Sequence, residues 1–414
     1  MASPNPIIIV TGANGGVGFG ICHRLLLQLA DTTPSDSQPK FWDGLQHEVP
    51  SVEPCDGLTL IMACRSTRRA EEARSKLLRL LDARIDALST SPEGSVHARQ
   101  FRDNLRIDVL PLDLASITSV FKFANQVSRN YPYVSHLVCN AGVASFKGMN
   151  YPLLIREILR GPIHAVTYPS YYLQNTGERS IDGLGWVWQC NVFGHYALFR
   201  SLELLLKSSK CSLGARVIWM SSLEGSPEFY DSDDWQLTRT EHSYQASKYQ
   251  IDLISAALDH RAVKLGEPRH VVVHPGVAST KVASALASGF LDFIKVLVFY
   301  LVRLLGSPNH PITTLKAAAP AVYAILSPLA FLPSLLLLPA APTSKSKVVE
   351  VNAPVKYGAQ TDWRGNERVS VASITDWAEH EGEASALADK FEDLYQRLKS
   401  EEGVIRIERA SERM

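Results

Sequence analysis

The sequence carries no excess of charge of either sign. Its 42 lysines and arginines balance 42 aspartates and glutamates over 414 residues. Such a chain creates no net field toward a polyanion, so the composition gives no support to nucleic-acid binding. It contains no internal repeat, and no basic segment precedes its first apolar run. We expect that run to be a first strand, not a signal peptide. A chain of this length is expected to form one large α/β domain or two domains.

Cysteine is scarce and shows no pairing pattern. The six cysteines form no C-x-x-C motif, and several lie inside apolar, strand-like runs. We therefore expect reduced core side chains in a cytosolic environment. His270 and His274 are four residues apart, but they flank a predicted strand and no third ligand is evident. No metal site is predicted.

A glycine-rich turn follows the first predicted strand. Residues 7–11 are apolar and β-branched, residues 12–20 are rich in glycine, and residues 21–29 have helical periodicity. In a dinucleotide-binding loop, glycines permit a tight turn, backbone approach to a pyrophosphate and close helix packing. An ordinary turn without a ligand is the alternative. The predicted cofactor contacts of this loop are Thr11, Gly12, Asn14, Gly16, Val17 and Gly18.

The second predicted strand, residues 58–64, ends at Arg65 and Ser66. An NAD site favours a carboxylate at this position for the ribose 2′-hydroxyl, whereas an arginine suits a 2′-phosphate. The sequence therefore favours NADPH over NADH, with Arg68 and Arg69 as further candidates for the phosphate. Alternatively, Arg65 only caps the next helix.

Further strand and helix patterns complete the prediction of an α/β, Rossmann-type doubly wound parallel sheet. Strands are predicted at 105–110, 136–139, 216–220 and 270–273, helices at 68–85 and 117–127, and a polar loop before residue 104. Residues 31–57 are predicted to be a surface insertion. Residues 143–183 form a second insertion with Tyr168, Tyr171 and Tyr172. Because it follows the carboxyl end of a strand, it is a candidate substrate wall.

Tyr244 and Lys248 are four residues apart in a predicted helix. Positions four apart share one face, so the phenol and the ammonium can point to the same spot. A phenol titrates near pH ~10, and a cation ~4 Å away at an effective dielectric of ~20 is worth roughly 4 kcal/mol. The pair therefore predicts a tyrosine whose pKa is lowered toward a working pH. Such a short motif is common by chance, so the surrounding motifs decide its meaning.

The motifs follow one order along the chain: T-G-x-x-x-G-x-G, C-N-A-G, N-V-F-G-H-Y, S-S, Y-x-x-x-K and P-G. Over roughly residues 6–285 this order resembles the short-chain dehydrogenase/reductase family. The interval from Ser222 to Tyr244 is longer than in many of those enzymes, because an extra polar loop lies at residues 231–236.

The resemblance assigns roles to the candidate side chains. It implies that Ser222 donates a hydrogen bond to the substrate carbonyl, that Tyr244 supplies the proton and that Lys248 holds the nicotinamide ribose. Asn191 would hold a water that links the lysine to solvent, unless it is a satisfied core asparagine. Asp113 would lie beside the adenine, unless it N-caps the following helix. The other implied cofactor contacts are Asn140, Ala141, Gly142, Pro275, Gly276, Val277 and Thr280.

Within that family the chain resembles the fungal 3-keto-steroid reductases of sterol C-4 demethylation, which are related to 17β-hydroxysteroid dehydrogenase type 7. Segments 185–196, 244–254, 305–308 and 357–365 carry this resemblance. It implies NADPH-dependent reduction of the C-3 ketone of C-4-demethylated sterols to the 3β-alcohol. It further implies an endoplasmic reticulum or lipid-droplet location, and the sterol C-4 methyl oxidase and C-3 decarboxylase as partners. Another lipid ketone (a 17-ketosteroid, a ketosphingoid base or a retinoid) and a scaffold role remain alternatives.

Residues 285–342 are unusually apolar. Within 285–306, Ser288, Asp292, Lys295 and Arg303 share one narrow sector of a helical wheel, which favours a helix lying in a membrane interface. Residues 317–342 carry no charge and approach the length of a span, but prolines interrupt them. We expect monotopic membrane insertion. A true span and an apolar lid over a lipid-like substrate are the alternatives.

Residues 343–414 are predicted to complete the same domain. A short strand is expected at 348–351, and a closing helix carries Leu387, Phe391, Leu394, Tyr395 and Leu398 on one face. The predicted organisation is thus a catalytic domain of residues 1–284, a membrane-associating segment of residues 285–342, and this C-terminal strand and packing helix.

Overall fold

The computed structural model describes residues 4–38, 54–88, 92–280, 290–338 and 351–411. Its strands are β1 (Ile7–Thr11), β2 (Leu58–Cys64), β3 (Leu105–Pro111), β4 (His136–Cys139), β5 (Phe146–Met149), β6 (Tyr172–Gln174), β7 (Arg216–Met220), β8 (Arg269–His274), β9 (Leu335–Leu338), β10 (Val351–Thr361) and β11 (Glu367–Ser373). Its helices are α1 (Gly16–Leu29), α2 (Thr67–Ala87), α3 (Pro92–Asp103), α4 (Ile117–Asn130), α5 (Tyr151–Arg160), α6 (Pro162–Thr167), α7 (Trp186–Trp188), α8 (Gly194–Lys207), α9 (Ser243–Leu265), α10 (Phe290–Leu304), α11 (Thr314–Ala317), α12 (Ala319–Leu326) and α13 (Trp377–Ser411).

A twisted sheet organises the described chain. Its order is β11-β10-β8-β7-β4-β1-β2-β3, and every neighbouring pair from β10 to β3 is parallel. Strands β11 and β9 pair with β10 in antiparallel fashion. The chain order reverses between β1 and β4, and such a switch point is where open α/β sheets bind ligands. The predicted Rossmann-type sheet is confirmed.

Two apolar layers cover the sheet. On one face β1 and its neighbours pack against α1, α2 and α12, with Leu25, Leu77 and Tyr323 inside. On the other face α4, α8, α9 and α13 enclose a second cluster that includes Trp188, Trp219 and Phe391. Strands buried on both faces explain why β1 and β7 read as continuous apolar runs. The predicted packing face of the last helix is confirmed, because Leu387, Phe391, Leu394 and Tyr395 are buried.

One sequence-based element prediction is wrong, and two others are met only in part by the described residues. The polar loop predicted before residue 104 contains helix α3, whose Phe101 is fully buried. The C-terminal strand predicted at 348–351 has only its last residue in the described chain, where β10 begins at Val351 and continues to Thr361. The start of the predicted surface insertion at 31–57 is partly on the surface, because Thr32, Thr33, Ser35 and Gln38 are exposed whereas Pro34, Asp36 and Ser37 are buried. Asp36 is buried and forms a bidentate ion pair with Arg24; residues 39–53 lie outside the described chain.

The insertion at 143–183 folds as a small unit of its own. Strands β5 and β6 form an antiparallel hairpin, and α5 and α6 lie between them in sequence. Asn150 caps α5 by accepting a hydrogen bond from Leu153 N–H. The unit contacts the main domain near α9, where Phe146 meets the ring of Tyr244 at a centroid distance of 6.1 Å.

The apolar segment divides into two different helices. Helix α12 is buried along its whole length against the sheet and α1, so this part of 317–342 is a core helix. Helix α10 exposes Phe293, Leu297, Leu301 and Leu304. Over the described residues, no helix combines the length and apolar character needed to cross a bilayer. Residues 285–289 and 339–342 of the predicted segment lie outside the described chain.

Candidate active site

The turn after β1 uses its glycines for positive φ angles and for close backbone packing. Gly12 and Gly16 have φ values of +67° and +54°, in the region that favours glycine. A side chain at Gly18 is excluded, because its Cβ would lie 2.4 Å from the Gly12 carbonyl oxygen and 2.5 Å from Asn140 Nδ2. The turn therefore brings the start of α1 directly against β1 and the end of β4.

The start of α1 fits a pyrophosphate. Gly15 occupies the N-cap position and supplies no side-chain hydrogen bond, so the first N–H groups of the helix are free of a side-chain cap. A helix N-terminus with such groups is an anion site when a glycine loop lets the ligand approach. Thr280 lies on the opposite side, 3.8 Å from a Cβ placed on Gly16. Asn14 and Val17, on the same turn, are half-buried.

The predicted 2′-phosphate residues lie at the carboxyl end of β2. Arg65 is exposed, and Ser66, not Arg65, is the N-cap of α2. The alternative that Arg65 caps this helix is therefore wrong. Arg68 forms an ion pair with Glu72 at 2.7 Å. Burial raises the pKa of the Cys190 thiol, nearby Asp113 raises it further, and nearby Arg65 lowers it in part.

Asp113 does not cap the helix that follows it. The N-cap of α4 is Ser116, which accepts from Ser119 N–H, so this alternative is also wrong. Instead Asp113 Oδ1 accepts a hydrogen bond from Ala115 N–H at 3.0 Å and stabilises the turn after β3. Its position leaves the carboxylate at the sheet edge where the adenine contact was predicted.

Thr11 and Asn140 join the ends of β1 and β4. The Thr11 hydroxyl accepts hydrogen bonds from the N–H groups of Asn140 and Ala141, both at 2.9 Å. The Asn140 amide donates to the Thr11 carbonyl oxygen at 2.9 Å. The buried ring of His195 bridges Thr11 Oγ1 and the Asn191 carbonyl oxygen. Burial lowers the pKa of His195 to about 4, so the ring is neutral at pH 7 and its role here is structural.

Ser222, Tyr244 and Lys248 lie together beside this junction. The Ser222 side chain lies near the Tyr244 phenol and acts on its pKa, and the Ser222 hydroxyl accepts a hydrogen bond from Glu224 N–H at 3.1 Å. Lys248 Nζ lies 5.7 Å from the centroid of the Tyr244 ring and 3.6 Å from a Cβ placed on Gly142. The three groups therefore converge on the side of the sheet edge that Asn140, Ala141 and Gly142 leave open.

The pKa of the tyrosine differs from the sequence-based prediction. Burial raises the pKa of Tyr244 above its ordinary value and nearby Glu224 raises it further, while nearby Ser222 lowers it in part. The predicted lowering by Lys248 is wrong for this structure, since the ammonium donates to the Met220 carbonyl oxygen at 2.9 Å. Burial lowers the pKa of Lys248 to about 8. At neutral pH the phenol is thus protonated and the lysine is mainly charged.

Asn191 lies in a π-helical turn at residues Gln189–Phe193 between α7 and α8. Its Oδ1 accepts from Val143 N–H at 2.7 Å, and its Nδ2 donates to the Val143 carbonyl oxygen and to Ser247 Oγ. π-Helical turns often mark functional sites. The asparagine fixes the chain after Gly142 and the helix that carries Lys248, so its visible partners are those of a satisfied core residue.

In the turn after β8, the backbone N–H and carbonyl groups of Val277 are both hydrogen-bonded within the protein. Gly276 has a φ of +65°, and a Cβ there would lie 2.7 Å from the Ala359 carbonyl oxygen. Val277 N–H donates to the Asn309 carbonyl oxygen, and the Val277 carbonyl oxygen accepts from Ile312 N–H. Pro275 begins this turn and Thr280 ends it, facing Gly16.

Aromatic and acidic side chains surround Tyr244, and sequence reasoning missed the acidic one. The rings of Phe146 and Tyr172 lie 4.9 Å apart at a tilt of 35°, and both residues belong to the predicted substrate wall. Glu224 is a separate finding, since burial raises its pKa to about 7 and Gln245 Nε2 lies 3.4 Å from its carboxylate. Gln174 accepts a hydrogen bond from Tyr244 N–H at 2.9 Å. Only the position of Glu224, two residues after Ser222, could have signalled it in the sequence.

Among the described residues, no group of histidine, cysteine and acidic side chains could hold a metal ion. All six cysteines are free thiols, and five of them are buried.

Known proteins can now be compared with this geometry. No protein-family model matches the chain. The chain is 30% identical to the 3-keto-steroid reductase erg27 of Schizosaccharomyces pombe over 313 residues, which cover 75% of this chain and 79% of that protein. It is 29% identical to the 3-keto-steroid reductase of Kluyveromyces lactis over 321 residues, 78% and 80% of the two chains.

The fold also occurs in solved structures. An uncharacterised protein from Mycobacterium paratuberculosis superimposes with a TM-score of 0.50 at 19% identity, over 95% of this chain and 96% of the other. At that identity the likeness concerns the fold alone. The sequence likeness to the Schizosaccharomyces pombe reductase extends over more than two thirds of both proteins and therefore supports membership of the same family. The chain belongs to the 3-keto-steroid reductase family of short-chain dehydrogenases/reductases, and it is an oxidoreductase.

Proposed function

We propose that this protein reduces the C-3 ketone of C-4-demethylated sterol intermediates to the 3β-alcohol with NADPH. One observation carries the proposal. Ser222, Tyr244 and Lys248 lie together at the switch point of the sheet, next to a glycine turn that fits a dinucleotide. The substrate follows from the relatives, which are named 3-keto-steroid reductases.

Each side chain has a part in this reduction. The glycine turn after β1 would hold a reduced nicotinamide cofactor, which would supply the hydride for the carbonyl carbon. Ser222 and Tyr244 hydrogen-bond the carbonyl oxygen, and Tyr244 transfers its phenolic proton as that oxygen becomes an alcohol. A raised phenol pKa suits this direction, because an acid has to hold its proton until the alkoxide forms. Lys248 holds the ribose, and Asn191 supports the water path that returns a proton to the site.

The first test removes the phenolic hydroxyl. Tyr244→Phe abolishes ketone reduction while NADPH binding, measured by fluorescence titration, stays within about twofold of the parent protein. General acid catalysis typically contributes ~10²–10⁴-fold, and the loss is expected in that range or beyond. Tyr131→Phe is a matched control, since it removes a tyrosine hydroxyl that bonds Asp108 of β3 and leaves the proposed acid in place. Near-normal turnover of Tyr244→Phe would exclude the phenol as the proton donor.

The second test concerns the nucleotide. Arg65→Asp is expected to shift the ratio of kcat/KM values from NADPH toward NADH, because a carboxylate repels a 2′-phosphate and accepts from a 2′-hydroxyl. Arg68 already pairs with Glu72, so Arg68→Asp is the control and should change the ratio less. An unchanged ratio in Arg65→Asp would show that another group holds the phosphate.

We also propose that the protein lies on the cytosolic face of the endoplasmic reticulum or on lipid droplets, inserted from one side. Thirteen of the twenty large hydrophobic side chains that are exposed in the described chain fall within residues 151–173 and 293–305. Helix α6 contacts both α5 and α10, so the two exposed faces adjoin. The 143–183 unit links this surface to Tyr244 through Phe146, which suits a substrate that dissolves in lipid.

The substrate and the partners are open to direct measurement. Sterol profiling of cells that lack the protein should show accumulated 3-keto sterols. Assays with 17-ketosteroids, ketosphingoid bases and retinoids separate a sterol reductase from another lipid reductase. The proposed partners are the sterol C-4 methyl oxidase and the C-3 decarboxylase. If the Tyr244→Phe protein rescued the pathway in such cells, a scaffold function would account for the phenotype better than catalysis.

A further inference from the structure

Helix α9 carries a third polar residue below the proposed catalytic pair. Tyr244, Lys248 and Asp252 follow one another at four-residue spacing, so they lie along one face of the helix. Asp252 Oδ2 forms an ion pair with Lys356 Nζ of β10 at 2.7 Å. The side chains of Lys356 and Asp252 are only 11% and 3% exposed. A buried pair of this kind is costly to desolvate and does not by itself indicate a stabilising role.

Lys356 also reaches the serine turn. Its Nζ donates to the Ser222 carbonyl oxygen at 2.8 Å. The same turn is fixed to α9 at Ser221, whose hydroxyl donates to the Lys248 carbonyl oxygen at 3.1 Å. At Gly225 a Cβ would lie 3.2 Å from Asp252 Oδ2, so the turn passes directly over the ion pair. One ammonium thus connects β10, α9 and the backbone of the residue whose hydroxyl faces Tyr244.

We propose that Lys356 is a positioning residue for the reduction, which with Asp252 holds the Ser222 backbone so that the Ser222 hydroxyl meets the substrate oxygen. This proposal rests on the proposed function, because the turn has a catalytic purpose only if Ser222 contacts a carbonyl. The ion pair places a rigid, buried cation against the serine carbonyl, where a water or a neutral donor would hold the turn less firmly.

The ion pair of Lys356 and Asp252 also affects the pKa of Lys248. The titratable groups that face this region are Tyr244, Lys248 and Asp252 from α9, Glu224 from the turn after β7, and His274 from β8. Asp252 raises the pKa of Lys248, whereas Lys356 lowers it, after the larger effect of burial. Lys356 contributes to the lowered pKa of His274, after burial. Removal of Lys356 alone should therefore raise the pKa of Lys248 and move the basic limb of the rate profile to higher pH.

The test compares Lys356→Met, Lys356→Arg and the double variant Lys356→Met/Asp252→Asn. A misplaced reacting group can cost ~100-fold in rate, so Lys356→Met should lower kcat by about 10- to 100-fold. NADPH affinity should stay within about twofold, and the basic limb should move to higher pH. Lys356→Arg should restore part of kcat. The double variant should return the basic limb toward that of the parent protein without restoring kcat. Lys390→Met removes an exposed lysine of α13 and should change nothing.

The outcomes separate this inference from the function on which it rests. If the parent protein reduces no sterol ketone, the proposed function fails. If the parent is active and Lys356→Met keeps kcat within twofold, the positioning role is wrong. If Lys356→Met lowered both the NADPH affinity and the melting temperature and left the pH profile of the rate unchanged, the ion pair would have a structural role only. Should Lys356→Met not fold, the double variant decides: a folded double variant with the kcat of the parent would overturn the proposal.

Discussion

Helices α10 and α12 belong to one apolar segment and have opposite environments. All eight residues of α12 are buried between the sheet and α1. Helix α10 exposes a row of large apolar side chains, including Phe293, Leu297, Leu301 and Leu304. Hydrophobicity alone therefore does not predict which helix enters the core. The positions of the polar groups distinguish the two cases.

The polar partners of each helix explain its placement. At α12 the buried guanidinium of Arg216 donates to the carbonyl oxygens of Ala324 and Ser327, so these two carbonyl groups at the buried end of the helix are paired. At α10 the large exposed side chains are apolar, whereas Arg303 of the predicted polar sector lies about 3.0 Å from a Cβ placed on Gly365 and Val302 is buried beside it. This orientation is the reverse of that of a helix on a water-exposed surface.

The difference in burial between α12 and α10 is tested most directly by placing one aspartate on each helix. Ile325→Asp puts a carboxylate at a position of α12 that is fully buried. Unpaired buried charges are among the changes that destabilise by more than ~4 kcal/mol, so this variant should unfold or lose most of its stability. Leu304→Asp places the same charge on α10 at a side chain that is 62% exposed, and should change the free energy of unfolding by less than ~0.5 kcal/mol.

Urea denaturation of both variants measures this difference. If Ile325→Asp were as stable as the parent protein, α12 would not be a core helix. If Leu304→Asp were strongly destabilising, the exposed face of α10 would pack against another part of the chain and could not be a membrane surface.

A membrane assay tests the outer helix alone. Full burial of a leucine side chain is worth ~1.5–3 kcal/mol, so Leu297→Glu/Leu301→Glu should weaken vesicle binding by about 100-fold or more. Reduction of a water-soluble model ketone should be unchanged, because neither residue contacts the site. Leu204→Glu on α8 is the control, since Leu204 is exposed elsewhere on the protein. Equal vesicle flotation of the double variant and the parent would exclude α10 as the membrane surface.

The same contrast shows what the sequence could predict. Strands β1, β2, β4 and β7 were predicted with their observed bounds, since apolar β-branched runs and the glycine or polar residues after them are local signals. Helix α3 was missed, because its sequence is largely polar and only a few buried residues, among them Phe101, anchor it. Burial of α12 depends on Arg216, more than one hundred residues earlier, which no local pattern reveals.

The site divides in the same way. Ser222, Tyr244 and Lys248 could be found because their spacing is a motif, and the structure brings them together. The electrostatics could not be predicted, because the Lys248 ammonium turns to the Met220 carbonyl and Glu224 approaches the phenol. The contact of Lys356 with the serine turn joins residues that are 134 positions apart. Sequence spacing thus predicts which groups meet, and tertiary packing determines their charge.

The smallest expected effect separates the apolar surface of α10 from its neighbour α5. Helix α5 exposes Ile155 and Leu159 together with two cations, Arg156 and Arg160, whereas the exposed large side chains of α10 are apolar. Near an anionic lipid surface each cation is worth ~1 kcal/mol, so Arg156→Gln/Arg160→Gln should weaken binding to anionic vesicles by roughly 30-fold at low salt. The effect should fade at ~1 M salt, where charges are screened within ~3 Å. Binding to neutral vesicles should stay the same, because α10 supplies the apolar contact there. A loss that persists with neutral vesicles or at high salt would mean that the two arginines hold α5 in place instead of binding lipid headgroups.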